Sequence, residues 1–201
     1  MKNFVLILVF LLPLVHLNSK VCEFSFNQEE TSIGWTAFKF TEKAGVGGKF
    51  DKVVVLGNPK AGNVADFARK VKFIIPISGI NTKNPERDEK IKKYFFGEMK
   101  ATSKIRGFFR NVKFDGKSGS AELILKMNNQ ERSIPVTFSL DENKNLELKG
   151  SLDVFKWGAQ KSIEALNKEC NTLHTGKDGI SKLWNEVDIH LATKLNYKCK
   201  Y

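Results

Sequence analysis

The sequence has few of the residues that catalytic and metal sites use. It contains three histidines and three cysteines in 201 residues. It has no G-x-S-x-G, H-E-x-x-H or P-loop motif, and no Cys/His spacing typical of a zinc site. His174 lies in a polar loop, and His190 falls in the outward phase of the last predicted strand, so we expect both to be solvated. These absences predict a protein that is not an enzyme and has no cofactor or metal.

Long hydrophobic runs are also lacking. The longest, Phe4 to Val15, is too short to span a membrane and follows a lysine, which is typical of a signal peptide. We therefore predict a signal peptide over residues 1–19 and one domain over residues 20–201. The chain is then expected to be exported, either periplasmic or secreted.

An arginine-rich arm and dense basic clusters are missing as well, although the formal net charge is +11. The lysines are scattered singly along strands and turns, so the sequence predicts a solvated surface and no nucleic-acid partner. The predicted export also argues against nucleic acid, whereas affinity for an anionic membrane surface is left open.

Three cysteines, Cys22, Cys170 and Cys199, allow one disulfide and one spare thiol. If an even-stranded sheet closes on itself, its first and last strands are antiparallel neighbours. That arrangement would bring Cys22 close to Cys199, so we hypothesise this bridge.

What the sequence does contain is a period-two alternation of apolar residues, which is typical of strands with one buried face. Short turns separate about eight such segments. They predict a mainly β protein, an eight-stranded antiparallel barrel. The segments are 32–41, 50–56, 71–77, 103–114, 121–127, 134–140, 146–154 and 183–197.

Several details refine this barrel. The apolar phase of the fourth strand flips between Phe109 and Val112, which predicts a bulge. The glycines at 45, 47 and 48 are interpreted as a turn between two strands. Two or three short helices are expected, at residues 63–70, at 157–170, and after Asn84, whose side chain is a good N-cap before Pro85.

Three segments resemble the YceI-like family of secreted lipid-binding proteins. The first is Ser78–Thr82 followed by Arg87-Asp88 and Phe96. The second is Trp35–Phe40 followed by Gly45–Phe50, and the third is Gly176–Val187. They occur in the family's order and span most of the chain after residue 19. The chain departs from the family at Lys104–Phe108 and carries a long insertion between Val154 and Trp184.

The resemblance implies a lipocalin-like barrel that holds a polyisoprenoid or another long apolar chain. The inward phases of the strands, with the aromatic end of the helix after Pro85, then supply the lining. The expected ligand-binding residues are Phe50, Phe73, Ile75, Phe95, Phe96, Phe109, Leu123, Leu125, Phe138, Leu148 and Leu152.

The family motif also places Asn81, Arg87 and Asp88 near the barrel mouth. We interpret Asp88 as support for the helix N-terminus and Arg87 as an anchor for the preceding loop through backbone carbonyls. Direct contact of this pair with a ligand is the alternative.

Two functional hypotheses remain. In the first, the protein is an exported carrier or store for a long-chain isoprenoid. In the second, the phenylalanines that follow residue 19 fill the barrel, and the protein has an exported structural or interaction role. The sequence leaves the oligomeric state open, with a homodimer as one alternative.

Overall fold

A computed structural model describes residues 20–101 and 103–200, so the predicted signal peptide lies outside the described residues. The strands are β1 Val21–Ser25, β2 Thr31–Lys39, β3 Ala44–Phe50, β4 Val54–Val55, β5 Lys60–Ala61, β6 Lys72–Pro76, β7 Ile80–Asn81, β8 Lys104–Phe114, β9 Ser118–Met127, β10 Gln130–Leu140, β11 Asn145–Asp153, β12 Leu183–Lys194 and β13 Asn196–Lys200. The α-helices are α1 Val64–Lys70, α2 Pro85–Lys90, α3 Gln160–Glu169 and α4 Asn171–His174. Short 3₁₀ turns cover Ile77–Gly79 and Val154–Trp157, and a π-helical turn covers Ile91–Phe96.

The main sheet closes into an eight-stranded barrel. Strands β8 to β12 pair consecutively, β12 pairs with β2, and β2 pairs with β3. The ring then closes between residues 44–55 and 72–81, since β3 pairs with β7 and β4 pairs with β6. Between these two pairings, the backbone N–H of Asp51 donates to the carbonyl of Gly79 at 2.8 Å. The predicted antiparallel lipocalin-like fold is therefore confirmed.

The alternating pattern locates the core correctly. Ala121, Leu123, Leu125 and Met127 of β9 are all buried, and so is the inward phase of β10. The bulge predicted in the fourth strand is present, because the β8–β9 register shifts between Arg110 and Lys113. Asn111 lies within this shift and has a φ of 51°, a left-handed conformation that Asn adopts more readily than most residues.

Two predicted boundaries are wrong. The glycines at 45, 47 and 48 lie within β3 and do not form a turn. The last strand, predicted as residues 183–197, divides at Leu195 into β12 of the barrel and β13 of a second sheet. Leu195 is buried and its N–H donates to the carbonyl of Lys144, so the chain leaves the barrel at this point.

The second sheet has the strand order β13-β1-β5 and is separate from the barrel sheet. Cys22 lies directly opposite Cys199 in the β1–β13 register, and the two are joined by a disulfide with a Cα–Cα distance of 3.9 Å. The hypothesised pair is therefore the one in the structure. The reason we gave for it is wrong, because β1 and β13 form no part of the barrel seam. Cys170 is the free, buried cysteine.

Three helical segments cover one end of the barrel. The predicted N-cap is confirmed, since the Asn84 side chain accepts from the Arg87 N–H before Pro85 begins α2. The π-helical turn continues from α2, and α3 packs against it. No helix among the described residues is both long enough and apolar enough to cross a membrane.

The disulfide joins residues 177 positions apart. A chain-entropy argument gives about 5 kcal/mol for a loop of this length, while typical measured disulfides contribute about 2–4 kcal/mol. We expect the double variant C22S/C199S to lose about 2–4 kcal/mol of unfolding free energy in guanidinium titrations. Dithiothreitol should lower the unfolding free energy of the wild type to that of the variant, and it should leave the unfolding free energy of the variant unchanged. A wild type that is insensitive to dithiothreitol would contradict this assignment.

Candidate functional site: an apolar cavity in the barrel

The barrel encloses a cavity of about 230 Å³. Its walls come from the inward phases of the barrel strands, and Ile91, Phe95, Phe96, Ile163 and Leu166 cover it from the π-helical turn and α3. The strand lining includes Ile33, Trp35, Ala37, Phe50, Val53, Val55, Phe73, Ile75, Ile80, Ile105, Phe109, Leu123, Leu125, Met127, Leu148, Leu152, Trp184, Val187, Ile189 and Leu191. Among the lining residues, His190 alone is ionisable. Such a lining suits an apolar ligand.

Ten of the eleven predicted lining residues border this cavity: Phe50, Phe73, Ile75, Phe95, Phe96, Phe109, Leu123, Leu125, Leu148 and Leu152. Phe138 does not. Its ring stacks on Phe114 at 5.7 Å and lies against Gly119, where an added Cβ would come within 2.3 Å of the ring. Phe138 is therefore inward-facing but fills the barrel beyond the cavity.

Several residues that border the cavity were not among the predicted lining residues. Val187 and Ile189 lie in the apolar phase of the last predicted strand, so the alternation alone could have found them. Trp35 and Ala37 lie on one of two partly apolar faces of the first predicted strand, so the alternation did not decide which face is inward. Ile163 and Leu166 lie on the apolar face of α3, a helix that we expected to cover one end or side of the barrel. The sequence left open whether this helix plugs the barrel or leans on it, and so did not identify the two residues as cavity lining.

The three tryptophans differ in their hydrogen bonding. The indole N–H of Trp157 donates to the carbonyl of Leu125 at 3.1 Å, and that of Trp184 donates to the carbonyl of Phe40 at 2.7 Å. The indole nitrogen of Trp35 is buried and has no partner among the described residues. The Trp35 ring lies across Gly48 of the neighbouring strand, where an added Cβ would come within 2.3 Å of Cζ2.

This contact explains the glycine in β3. Gly48 faces inward directly opposite Trp35 in the β2–β3 register. The next residue along, Gly47, is exposed, and an added Cβ there would meet only a backbone oxygen at 3.8 Å. The glycine at 48 therefore makes room for the indole, whereas the glycine at 47 does not.

Arg87 and Asp88 converge on Thr82, which is buried. The Arg87 guanidinium donates to the Thr82 hydroxyl at 3.0 Å and to its carbonyl at 3.2 Å. The Asp88 carboxylate accepts from the Thr82 N–H at 2.9 Å and from its hydroxyl at 2.6 Å. Arg87 thus anchors the preceding loop through a carbonyl, in agreement with the first interpretation. Asp88 binds the same loop and not the helix N-terminus.

Asn81 joins this loop to the barrel wall. Its side-chain amide donates to both carboxylate oxygens of Asp51, at 2.9 and 3.0 Å. The bond from Asn81, followed by the interaction with Lys49, lowers the pKa of Asp51. Neither Asn81 nor the pair at 87 and 88 borders the cavity. Together they fix the loop that leads from β7 into α2.

One of the two described histidines differs from its prediction. His190 is exposed on the outer face, over Gly34, as predicted. His174 is half-buried in α4, and its Nδ1 lies 2.9 Å from Oδ1 of Asn167. Burial, and secondarily the positive charge of Lys39, lowers the pKa of His174 to about 4, so the ring is neutral at pH 7. The described residues contain no group of three or more His, Cys, Asp or Glu side chains arranged to hold a metal.

The sequence model of the YceI-like domain matches residues 24–195, which is most of the chain. The chain belongs to the YceI-like family. No curated protein matches it. The match covers the whole barrel and the segment that forms α3 and α4.

Solved structures share the fold of this YceI-like chain. One is a polyisoprenoid binding domain from Saccharophagus degradans, with a TM-score of 0.61, 11% identity, and coverage of 88% of this chain and 98% of that one. Burkholderia cenocepacia BcnA has a TM-score of 0.55 and 10% identity, with coverage of 86% of this chain and 99% of that one. The Campylobacter jejuni YCEI protein has a TM-score of 0.53 and 17% identity, with coverage of 81% of this chain and 90% of that one. At these identities the similarity establishes the fold alone.

The contrast between Gly47 and Gly48 can be tested directly. We expect Gly48→Ala to lower the unfolding free energy by about 1–3 kcal/mol, because the new methyl group overlaps the Trp35 ring. The matched control Gly47→Ala should be neutral or stabilising by up to about 1 kcal/mol, since it only restricts the unfolded chain. Urea titrations followed by tryptophan fluorescence measure both. Equal effects of the two substitutions would refute the packing role of Gly48.

The anchor formed by Arg87 gives a second test. We expect Arg87→Ala to cost about 1–3 kcal/mol of stability, because it leaves the Thr82 carbonyl without its partner, while lipid occupancy stays unchanged. Glu89→Ala serves as the control, because Glu89 makes only an exposed ion pair with Lys92 on the same helix. Differential scanning calorimetry and mass spectrometry of bound lipid give the two readouts. Lost occupancy at unchanged stability would instead support ligand contact.

Proposed function

We propose that this protein binds a long apolar chain, of isoprenoid or similar type, inside its barrel and carries, stores or sequesters it. The observation that carries the proposal is the cavity of about 230 Å³ with an almost wholly apolar lining. The fold similarity to a domain described as polyisoprenoid binding adds support.

The energetics favour a ligand of this kind. Burying a methylene group contributes about 0.8 kcal/mol, so a long tail can bind tightly without any charged anchor. The cavity supplies branched and aromatic side chains on every wall and no paired charges. A charged headgroup inside it would lose its hydration without a countercharge.

The cavity weighs against the hypothesis of a filled barrel. Phe114 and Phe138 fill one part of the interior, but Phe50, Phe73 and Phe109 border open space. A binding role also suits the lining better than catalysis does. Nucleophilic catalysis needs a nucleophile beside a base, and the half-buried His174 contacts an amide outside the cavity.

We further propose that the chain is exported, to the periplasm or beyond the cell. The Cys22–Cys199 disulfide supports this, since such bonds persist in oxidising compartments. The charge of +11 is compatible with docking on an anionic membrane surface, which stays a prediction, as does the oligomeric state.

The test of lipid binding uses one substitution that fills the cavity. Ala37 of β2 borders the cavity, so Ala37→Phe adds a ring to it. We expect this variant to retain less than about a tenth of the wild-type lipid, because the ring occupies the ligand's volume. Protein purified from cells is analysed by native mass spectrometry and by organic extraction.

The control is Ser32→Phe, which places the same ring on the exposed face of the same strand. It should bind lipid as the wild type does. Wild-type protein that is purified without lipid and takes up no prenyl chain would overturn the proposal. Equal occupancy in Ala37→Phe and the wild type would show that lipid binds elsewhere.

A further inference from the structure

The barrel wall formed by β6, β8 and β9 carries a second apolar cluster on its outer face. Phe73, Phe109 and Leu123 of these strands border the cavity, so the residues next to them in the chain point outward. Among these outward residues, Phe108 lies directly opposite Ile124 in the β8–β9 register. Ile124 is only 4% exposed, although it lies outside the main core cluster. The outer face of this wall therefore packs apolar side chains of its own.

This outer cluster extends to an exposed leucine beside β6. Ile74 of β6 is half-buried and belongs to the same outward phase. Leu56 follows Val55, which borders the cavity, and the N–H of Leu56 donates to the carbonyl of Lys72 at 2.8 Å. Leu56 therefore lies on the outward side of the wall, where it is 44% exposed. Exposed apolar patches with a charged rim are typical of contacts with proteins or membranes.

Basic side chains surround the outer cluster. The surface that they form with it is called the basic face, and its cations are Lys72, Lys104, Arg106, Arg110 and Lys126. Arg106 lies directly opposite Lys126, and the Arg110 guanidinium lies 5.0 Å from the centroid of the Phe108 ring. In the part of the chain that the structure describes, none of the five cations forms an ion pair.

The basic face keeps a net positive charge. Its five cations are accompanied by two carboxylates, since Glu122 lies opposite Arg110 and Glu131 lies opposite Lys126. By contrast, the lysines on β3 and β11 each form an ion pair with a nearby carboxylate. Part of the protein's positive charge is therefore concentrated, without counterions, around an apolar cluster.

An anionic bilayer is the partner that fits both features of the basic face. Lipid phosphates attract unpaired Lys and Arg side chains, while apolar side chains such as Leu56 and Phe108 can enter the headgroup region. A second copy of this chain would bring like charges together across the contact, which is unfavourable. Nucleic acid does not fit the export proposed above. A bilayer is also the natural source of an apolar ligand, because such a molecule is poorly soluble in water.

We propose that the basic face docks this protein on the surface of an anionic bilayer, with Arg106 and Lys126 contacting lipid phosphates and Leu56 entering the headgroup region. This docking surface is the outer side of a wall whose inner side borders the cavity. The inference rests on the proposed function in one respect, because a bilayer is chosen as the partner that holds the apolar ligand.

The charged part of the proposal is tested with vesicles of phosphatidylcholine alone and of phosphatidylcholine mixed with phosphatidylglycerol. In a flotation assay, we expect the wild type to bind the anionic vesicles. The double variant Arg106→Gln/Lys126→Gln should bind them about tenfold to thirtyfold more weakly, because two contacts with lipid phosphates are lost. The matched control Lys149→Gln/Lys194→Gln removes the same charge from exposed residues of β11 and β12, and it should change binding by less than about threefold.

The apolar part is tested by Leu56→Ser. We expect this variant to bind anionic vesicles about threefold to tenfold more weakly, because the leucine side chain is no longer buried among the headgroups. Leu173→Ser is its control, since Leu173 of α4 is 59% exposed and lies outside the basic face. The control should bind vesicles as the wild type does, and equal losses in the two variants would contradict a contact specific to the basic face.

The outcomes separate docking from ligand binding. Equal losses in the two double variants, or equal binding of the wild type to neutral and anionic vesicles, would overturn the docking surface. Lipid found in the same wild-type sample by native mass spectrometry would leave the proposed function intact. Binding of the wild type to soluble heparin but to neither type of vesicle would assign the basic face to an acidic polymer and overturn the membrane contact. A selective loss in Arg106→Gln/Lys126→Gln and in Leu56→Ser would support it.

Discussion

The structure depends on the pairing of residues 44–55 with residues 72–81. These two segments form the last joint of the ring, where β3 and β4 meet β7 and β6. Closure removes the exposed edges that an open sheet presents to other chains. It also sets the number of strands, and eight strands leave an interior wide enough for side chains and one slender ligand. The same segment of 72–81 then leads through Asn81 and Thr82 into the helices over the barrel end.

Inside the barrel, individual side chains determine which part of the interior is filled and which part remains a cavity. Phe138 and Phe114 stack and fill the interior beyond the cavity. Nearer the helices, inward phenylalanines such as Phe50 and Phe73 border the cavity. Glycines adjust the balance: Gly48 lets the Trp35 indole lie flat against the wall, and an added Cβ at Gly107 would come within 2.4 Å of the Phe73 ring. Glycines that face aromatic rings therefore help to set the volume of the cavity.

Prediction from sequence patterns succeeded where one local rule governs one element. Period-two alternation found the walls, and the phase flip near Val112 found the bulge. Asn84 and Pro85 marked the start of α2. It failed where distant residues decide the outcome. The glycines at 45, 47 and 48 indicate a turn when the sequence is considered alone. In the structure they lie in β3, and Trp35 lies across Gly48. The sequence predicts that His174 is solvated. In the structure α3 places Asn167 beside it, and the His174 ring is half-buried.

The sequence by itself determined the strand pattern, the inward set of apolar residues and the absence of recognisable catalytic or metal motifs, because alternation, capping and motif spacing are local properties. The tertiary structure alone decided three further points. It placed Cys22 opposite Cys199 in a separate sheet, brought Ile163 and Leu166 of α3 to the cavity, and left the Trp35 nitrogen without an acceptor among the described residues. Each depends on where segments far apart in the chain meet, and no local periodicity encodes that.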